Sequence, residues 1–312
     1  MEPAIETKYL GKAYKGFVAV KQLNLIVPRG EVFGFLGPNG AGKTTTIMML
    51  LGNIKPTAGM ATLLGKPVGD VETRRRVGFL PEKFQFHEFL TAVEFLHLHG
   101  KLAGMSREAR DKRIPIVLAR VGLADRANNK IQEFSKGMQQ RIGLAQAILH
   151  EPDLVILDEP TSALDPIGRR DVRDIVLELR SQGKTVLLNS HLLSEIEMTC
   201  DRVAIIKRGE VATQGTMDEL LGFSHTVDIE VRDMNDAAMS ALRLLTTKLK
   251  IERVPITKFT AWVRNEEDIS EVARALVENK AKLIALIPRR ETLEQLFMRI
   301  IEGDGPLDTQ LK

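Results

Sequence analysis

The chain has 312 residues, 44% hydrophobic and 27% charged, and its 44 Lys and Arg against 41 Asp and Glu leave a net charge of +3. These fractions are those of a soluble globular chain and exclude a disordered one; at roughly 150 residues per domain the length suggests about two domains. No run approaches the ~18 consecutive apolar residues of a membrane-spanning helix, and the near-balanced charge lacks the dense basic stripe of a nucleic-acid binder.

The start, Met1-Glu2-Pro3-Ala4, has neither the basic nor the apolar region of a secretory signal, so none is expected. Glu31 to Leu36 (EVFGFL) reads as a buried strand that enters a glycine-rich turn, Gly37 to Gly42, and then a helical stretch from Thr44 to Ile54. A helical insertion follows, roughly Thr91 to His150. Thr91 and Glu94 form a capping box at its start, and Ile114–Val121 and Met138–Leu149 read as further helices. Leu154 to Leu157 fits a strand buried on both faces, and Asp165-Pro166 reads as an N-cap with proline at the first helical position. That helix stops at Gly183. Thr185 to Leu188 is a further buried strand, and Arg202–Lys207 with Glu210–Thr213 reads as a hairpin about Arg208-Gly209. Strands alternating with helices predict an α/β core with a mainly parallel sheet.

After about Gly222 the pattern changes. His225–Val231 alternates as a strand, Asn235–Lys248 reads as a helix, and Lys250–Val254 and Phe259–Arg264 read as strands. Glu266–Asn279 reads as a second helix, Lys282–Ile287 as a last strand, and Glu291–Ile301 as a final helix before a loose tail. The order β-α-β-β-α-β predicts a small α+β, ferredoxin-like domain. The domains expected are therefore 1–221 and 222–312. The only cysteine, Cys200, excludes an internal disulfide and a four-cysteine zinc site and fits a reducing, cytosolic setting.

Two features carry chemistry. Gly37-Pro38-Asn39-Gly40-Ala41-Gly42-Lys43-Thr44 matches G-x-x-x-x-G-K-[ST] between a strand and a helix. Its glycines let successive N–H groups curl around phosphate oxygens, the helix start adds a positive dipole end, Lys43 supplies a compact charge, and Thr44 offers magnesium a hydroxyl. Leu154–Leu157 then ends in Asp158-Glu159, at the carboxyl end of a strand where α/β sheets place their chemistry. Asp158 is placed to hold magnesium through water. Glu159 points the other way along the strand and is free to act as general base toward a water. His97 and His99, two apart on a helix, make a poor metal pair.

With these motifs the chain resembles the nucleotide-binding subunit of ABC transporters, bacterial multidrug and related exporters in particular, from residue 4 to about 220. Phe134-Ser135-Lys136-Gly137-Met138-Gln139-Gln140-Arg141 is similar to the family's signature segment, Thr161–Asp165 to its D-loop, and Ser190-His191 to its switch histidine. The resemblance implies a P-loop NTPase core with a helical subdomain at about 84–150 and an antiparallel β subdomain. It implies ATP and Mg2+ as ligands, with Tyr14 stacked on adenine, Thr45 beside the phosphates, and Thr44, Asp158 and Glu82 toward the metal. It implies two nucleotide domains head to tail, the second being another copy or a homologous subunit. Ser135, Lys136, Gly137, Met138 and Gln139 of one, with Asp165, then reach the ATP held by the other. Glu159 and His191 would be catalytic. A separate transmembrane permease is the implied partner, with this chain peripheral on the cytoplasmic face and no nucleic acid expected.

Two departures stand out. The signature reads Ser135-Lys136-Gly137-Met138-Gln139 where S-G-G-Q is common, which adds a positive charge. Phe79-Leu80-Pro81-Glu82 puts Glu82 where many members have Gln; it is still an oxygen ligand but cannot donate when ionised. Phe84, Phe86 and Phe89 either line a groove for a permease helix or pack the helical insertion. The alternative function is a soluble ABC-type ATPase acting on ribosomes or DNA. Against it stand a single phosphate loop, no long heptad run and one cysteine. Nothing after residue 222 looks catalytic, and a dimerisation or partner-contacting role is expected there.

Overall fold

The computed structural model describes residues 2–253, 257–265 and 267–303. Val254, Glu266 and the tail after Gly303, all covered by the expectations above, lie outside the described residues. The described residues divide into two compact units, one running up to Met217 and taking in residues 297–303, the other Asp218–Leu296.

In the first unit, β1 (Ile5–Tyr14) and β2 (Phe17–Val27) form a hairpin. β3 (Val32–Leu36) leads into α1 (Lys43–Leu50), then β4 (Ala58–Leu63), β5 (Lys66–Pro67), the single turn α2 (Val71–Arg74) and β6 (Val77–Leu80). The helices α3 (Ala92–Leu102), α4 (Arg107–Arg120) and α5 (Lys136–Ile148) come next. β7 (Leu154–Asp158), α6 (Pro166–Ser181), β8 (Thr185–Asn189), α7 (Leu193–Thr199), β9 (Arg202–Lys207) and β10 (Glu210–Thr216) complete its strands.

Two sheets organise this unit. An antiparallel sheet has the order β2-β1-β4-β5, and a six-stranded sheet has the order β10-β9-β3-β8-β7-β6, parallel except for β10. Every residue of β3, β7 and β8 is buried, which is why these strands are nearly continuous apolar runs rather than alternating ones. β8 lies between β3 and β7, so the carboxyl ends of three parallel strands sit side by side. α6 starts as expected, with Asp165 as N-cap and Pro166 first, and buries Val172, Ile175, Val176 and Leu179 along one stripe. Cys200, just after α7, is buried; its sulfur lies 3.3 Å from where a Cβ on Gly34 would sit.

The helical insertion differs in detail from its sequence reading. Thr91 and Glu94 form the full capping box of α3. α4 begins at Arg107, seven residues before the expected Ile114, because Ser106 caps it and its first two turns are polar; Pro115 is accommodated inside it. α5 begins at Lys136, with the Ser135 hydroxyl accepting from the Met138 N–H at 3.3 Å, so most of the signature segment is itself the first helical turn.

The second unit runs α8 (Met217–Leu220), which begins at the boundary, β11 (Phe223–Arg232), α9 (Asp236–Leu245), β12 (Lys248–Arg253), β13 (Thr257–Trp262), α10 (Glu267–Glu278), β14 (Lys282–Arg290) and the start of α11 (Leu293–Glu302). Its antiparallel sheet has the order β12-β13-β11-β14. Val227, Ile229, Phe259 and Ala261 form a core with Leu242 of α9 and Leu276 of α10. The helix expected to run to Lys248 stops at Leu245: Thr246 is extended, and Lys248 already pairs with Trp262.

One close approach fixes α5. A Cβ on Gly78 of β6 would lie 2.0 Å from the Ala147 carbonyl oxygen, so the last turn of α5 rests directly on the strand backbone. Gly78→Ala must push the helix off the sheet, and overpacking of this kind destabilises by about 1–3 kcal/mol. A lowered midpoint in urea denaturation is the expected result.

Candidate functional site

An open cleft of about 560 Å³ lies over the carboxyl ends of β3 and β8. Asn39, Gly40, Ala41, Gly42, Lys43, Thr44 and Thr45 line one side; Glu82, Glu159, Ser162, Asn189 and His191 line the other; Phe17 and Ala19 of β2 complete it. Gly42 enters α1 with φ +100, and a Cβ there would meet the Ala19 carbonyl oxygen at 2.5 Å, so only glycine fits between the loop and β2. No side chain caps α1, an arrangement that leaves a helix N-terminus open to an anion. Gly37 and Pro38 do not line the cleft; their carbonyls receive Lys43 Nζ at 2.6 and 3.2 Å. Burial lowers the Lys43 pKa, while Glu159, Asp158 and Glu82 act to raise it.

The carboxylates hang from the end of β7. Asp158 is 1% exposed and accepts from Asn189 Nδ2 of β8 at 2.5 Å. Burial raises its pKa above the usual carboxylate range, Glu82 adding to the effect and the Asn189 hydrogen bond and Lys43 opposing it. Glu159 breaks out of the strand into the left-handed region, φ +55, which costs a non-glycine residue of order 1–3 kcal/mol. Its N–H donates to the Asn189 carbonyl at 2.9 Å, and its own carbonyl accepts from Gln140 Nε2 at 3.1 Å. Its Oε2 lies 2.7 Å from His191 Nδ1. Burial raises the Glu159 pKa too, with His191 holding it back.

The cleft gathers Glu159, His191, Glu82 and the loop from Asn39 to Thr45, but not every residue expected from the sequence. Tyr14 is not among the residues lining it; the ring there belongs to Phe17, its Cα partner across the β1–β2 turn. Tyr14 is 45% exposed, with Lys12 Nζ 5.1 Å from its ring centre. Asp158, buried at the end of β7, does not line it either, and Ser135, Lys136, Gly137, Met138, Gln139 and Asp165 are also absent from this cleft, Ser135 and Asp165 serving as helix N-caps. Sequence reasoning missed Asn189 and Phe17, and it quoted Ser162 and Gln140 only within the D-loop-like and signature-like segments, with no role of their own. Asn189 carried a signal: a polar residue ending an otherwise apolar strand beside a carboxylate strand. The phenylalanines after Glu82 divide: Phe84 and Phe86 stack at 4.5 Å between ring centres and pack on Phe95, whereas Phe89 is 68% exposed.

Thr44, Asp158 and Glu82 offer only oxygen donors. Among the described residues, no three His, Cys, Asp or Glu side chains gather as a metal cage. That donor set suits magnesium, which takes one or two protein oxygens and fills its shell with phosphate and water.

A parallel sheet with a glycine-rich phosphate loop, a buried aspartate and an adjacent glutamate–histidine pair defines a P-loop nucleotide hydrolase. Comparison with known proteins narrows this to one family. The ABC transporter family pattern matches residues 20–162. An ABC transporter ATP-binding protein of Synechocystis sp. is 40% identical over 98% of this chain and 87% of its own length. The linearmycin resistance ATP-binding protein LnrL of Bacillus subtilis is 33% identical, covering 95% of this chain and 97% of that protein. The bacitracin transport ATP-binding protein BcrA of Bacillus licheniformis is 34% identical, covering 97% and 99%. Among solved structures, an ATP-binding subunit of an ABC transporter superposes with a TM-score of 0.66 at 33% identity, covering 70% of this chain and 91% of its own. The dimeric ATP-binding cassette MJ0796, bound to ADP and Pi, gives 0.64 at 29% identity, covering 68% and 98%. The chain belongs to the ABC transporter ATP-binding family and is an ATPase of that family. Among the described residues no helix is long and apolar enough to cross a membrane.

The raised pKa of Asp158 makes a statement about stability. A buried acid whose pKa is raised on folding stabilises the fold below the ordinary carboxylate pKa of about 4, and that contribution is lost as pH rises through the raised value. Asp158→Asn keeps the acceptor for Asn189 but removes the charge. Without nucleotide it should melt above the wild type at neutral pH, and the difference should vanish as pH falls toward about 4. Thermal melts across pH check this.

Proposed function

We propose that this chain is the ATP-hydrolysing subunit of an exporter, that two such subunits close head to tail around ATP and Mg2+, and that the closure drives a separate transmembrane permease. The observation that carries this reading is the contact between Glu159 and His191, 2.7 Å apart beside the phosphate loop. A general base works best with a pKa near the working pH, and burial moves Glu159 in that direction. His191, with its side chain 65% exposed, is free to contact the γ-phosphate while holding Glu159 toward a water.

In this reading the loop N–H groups from Asn39 to Thr45 and the Lys43 ammonium bind the phosphates. Thr44, Asp158 and Glu82 take the metal side, where magnesium neutralises phosphate charge. Tyr14 and Phe17 offer the adenine their rings. Ser135, Lys136, Gly137, Met138, Gln139 and Asp165 serve the ATP of the second subunit, whether a copy of this chain or a homologue. Their absence from this chain's own cleft supports that assignment, as does an α5 N-terminus free of acidic residues. Export is supported by relatives named for linearmycin resistance and bacitracin transport. The chain would then sit on the cytoplasmic face of the membrane, with residues 222–312 as an accessory domain that contacts a partner.

Glu159→Gln removes the base and keeps the shape. Hydrolysis should fall by roughly 10²–10⁴-fold while ATP binding is retained. Phosphate release and an ATP-dependent dimer on size-exclusion chromatography check the two halves; an unchanged rate would sink the assignment of Glu159.

A further inference from the structure

We infer that Gln140 is a positioning residue that holds the base Glu159 and ties it to the signature helix of the same chain. The argument starts from the backbone of Glu159. With φ +55, its peptide groups stand in an orientation that β7 does not impose, and the direction of its carboxylate depends on what holds them. One bond comes from the sheet, the Glu159 N–H to the Asn189 carbonyl at 2.9 Å. The Glu159 carbonyl takes two more, a local one from the Ser162 N–H at 3.3 Å and one from a different element, Gln140 Nε2 of α5, at 3.1 Å.

Gln140 lies one turn along α5 from Lys136, on the helix that Ser135 caps. The far end of that helix is seated on β6 through Gly78 and Ala147. Arg141 fixes its middle, donating to the Val121 carbonyl at 3.2 Å and to Asp171 at 3.0 Å. A shift at the free end of α5 therefore reaches Gln140 before the seated end responds. Resting on the two-chain reading above, Ser135 and Gly137 touch the partner's nucleotide, so Gln140 carries the occupancy of that site to the base of this one. Each site then hydrolyses well only when both are filled.

The test uses the full chain and steady-state ATP hydrolysis. Gln140→Met keeps the length and loses the donor; Gln140→Lys keeps a donor of similar reach. Gln140→Met should lower kcat by about 10- to 100-fold, the cost of a misplaced catalytic group. KM should stay within about twofold, since misplacing the base leaves substrate binding intact, and the Hill coefficient for ATP should fall toward one. Gln140→Lys should recover most of kcat. Wild-type kcat in Gln140→Met overturns the inference, as does a parallel loss of kcat, ATP affinity and melting temperature in both variants. A kcat loss with an unchanged Hill coefficient overturns the link to the partner's nucleotide. Glu159→Gln separates the two readings: if it hydrolyses normally, the base is misassigned whatever Gln140 does. If it is inactive and Gln140→Met is normal, only the role of Gln140 falls.

Discussion

The pairing of β7 with β8 runs one residue past the apolar core, and that last rung carries the chemistry. Asp158 and Asn189 are Cα partners there, the Asn189 amide donates to the Asp158 carboxylate, and its backbone carbonyl takes the Glu159 N–H. One residue thereby fixes both acids. A hydrogen bond to a charged group contributes about 1.5–3 kcal/mol, enough to matter where burial alone would favour the neutral acid. Phosphate loop, base and switch histidine are all referred to this rung, because β8 separates the strand that feeds the loop from the strand that feeds the acids.

The site is assembled against the grain of stability. It buries an acid, turns a glutamate into a left-handed conformation and draws a lysine from water. The compensation comes from outside the cleft. β2 closes against Gly42, α5 lies on β6, and three fully buried strands supply apolar area that no catalytic residue interrupts before its carboxyl end. Rigid surroundings of this kind let a strained residue persist.

Much of this was legible in the sequence where one physical rule dominates. The buried strands show as apolar runs, the phosphate loop as glycine spacing, and α3 and α6 as capping residues followed by a periodic stripe. What stayed hidden lies where two rules compete. β1 carries register shifts around Tyr9, which has φ +50, so its alternation is broken and no period-two signal survives. The start of α4 is polar for two turns and so shows no apolar stripe, although Ser106 caps it well. Glu159 and His191 could be singled out by type and placement. Gln140 could not, because its meaning is a contact between residues 19 positions apart, made through a backbone carbonyl that no sequence displays.

The setting of Cys200 has a practical consequence. Its thiol is buried behind α7, and burial pushes its pKa well above the ordinary thiol value, so almost no thiolate forms near neutral pH. It is also the only cysteine in the chain. Burial should therefore keep this thiol slow to react with maleimides and other thiol reagents. A single cysteine introduced on any exposed surface becomes a unique attachment point, and fluorescent or spin labels can follow the subunit through its cycle without first removing a native residue.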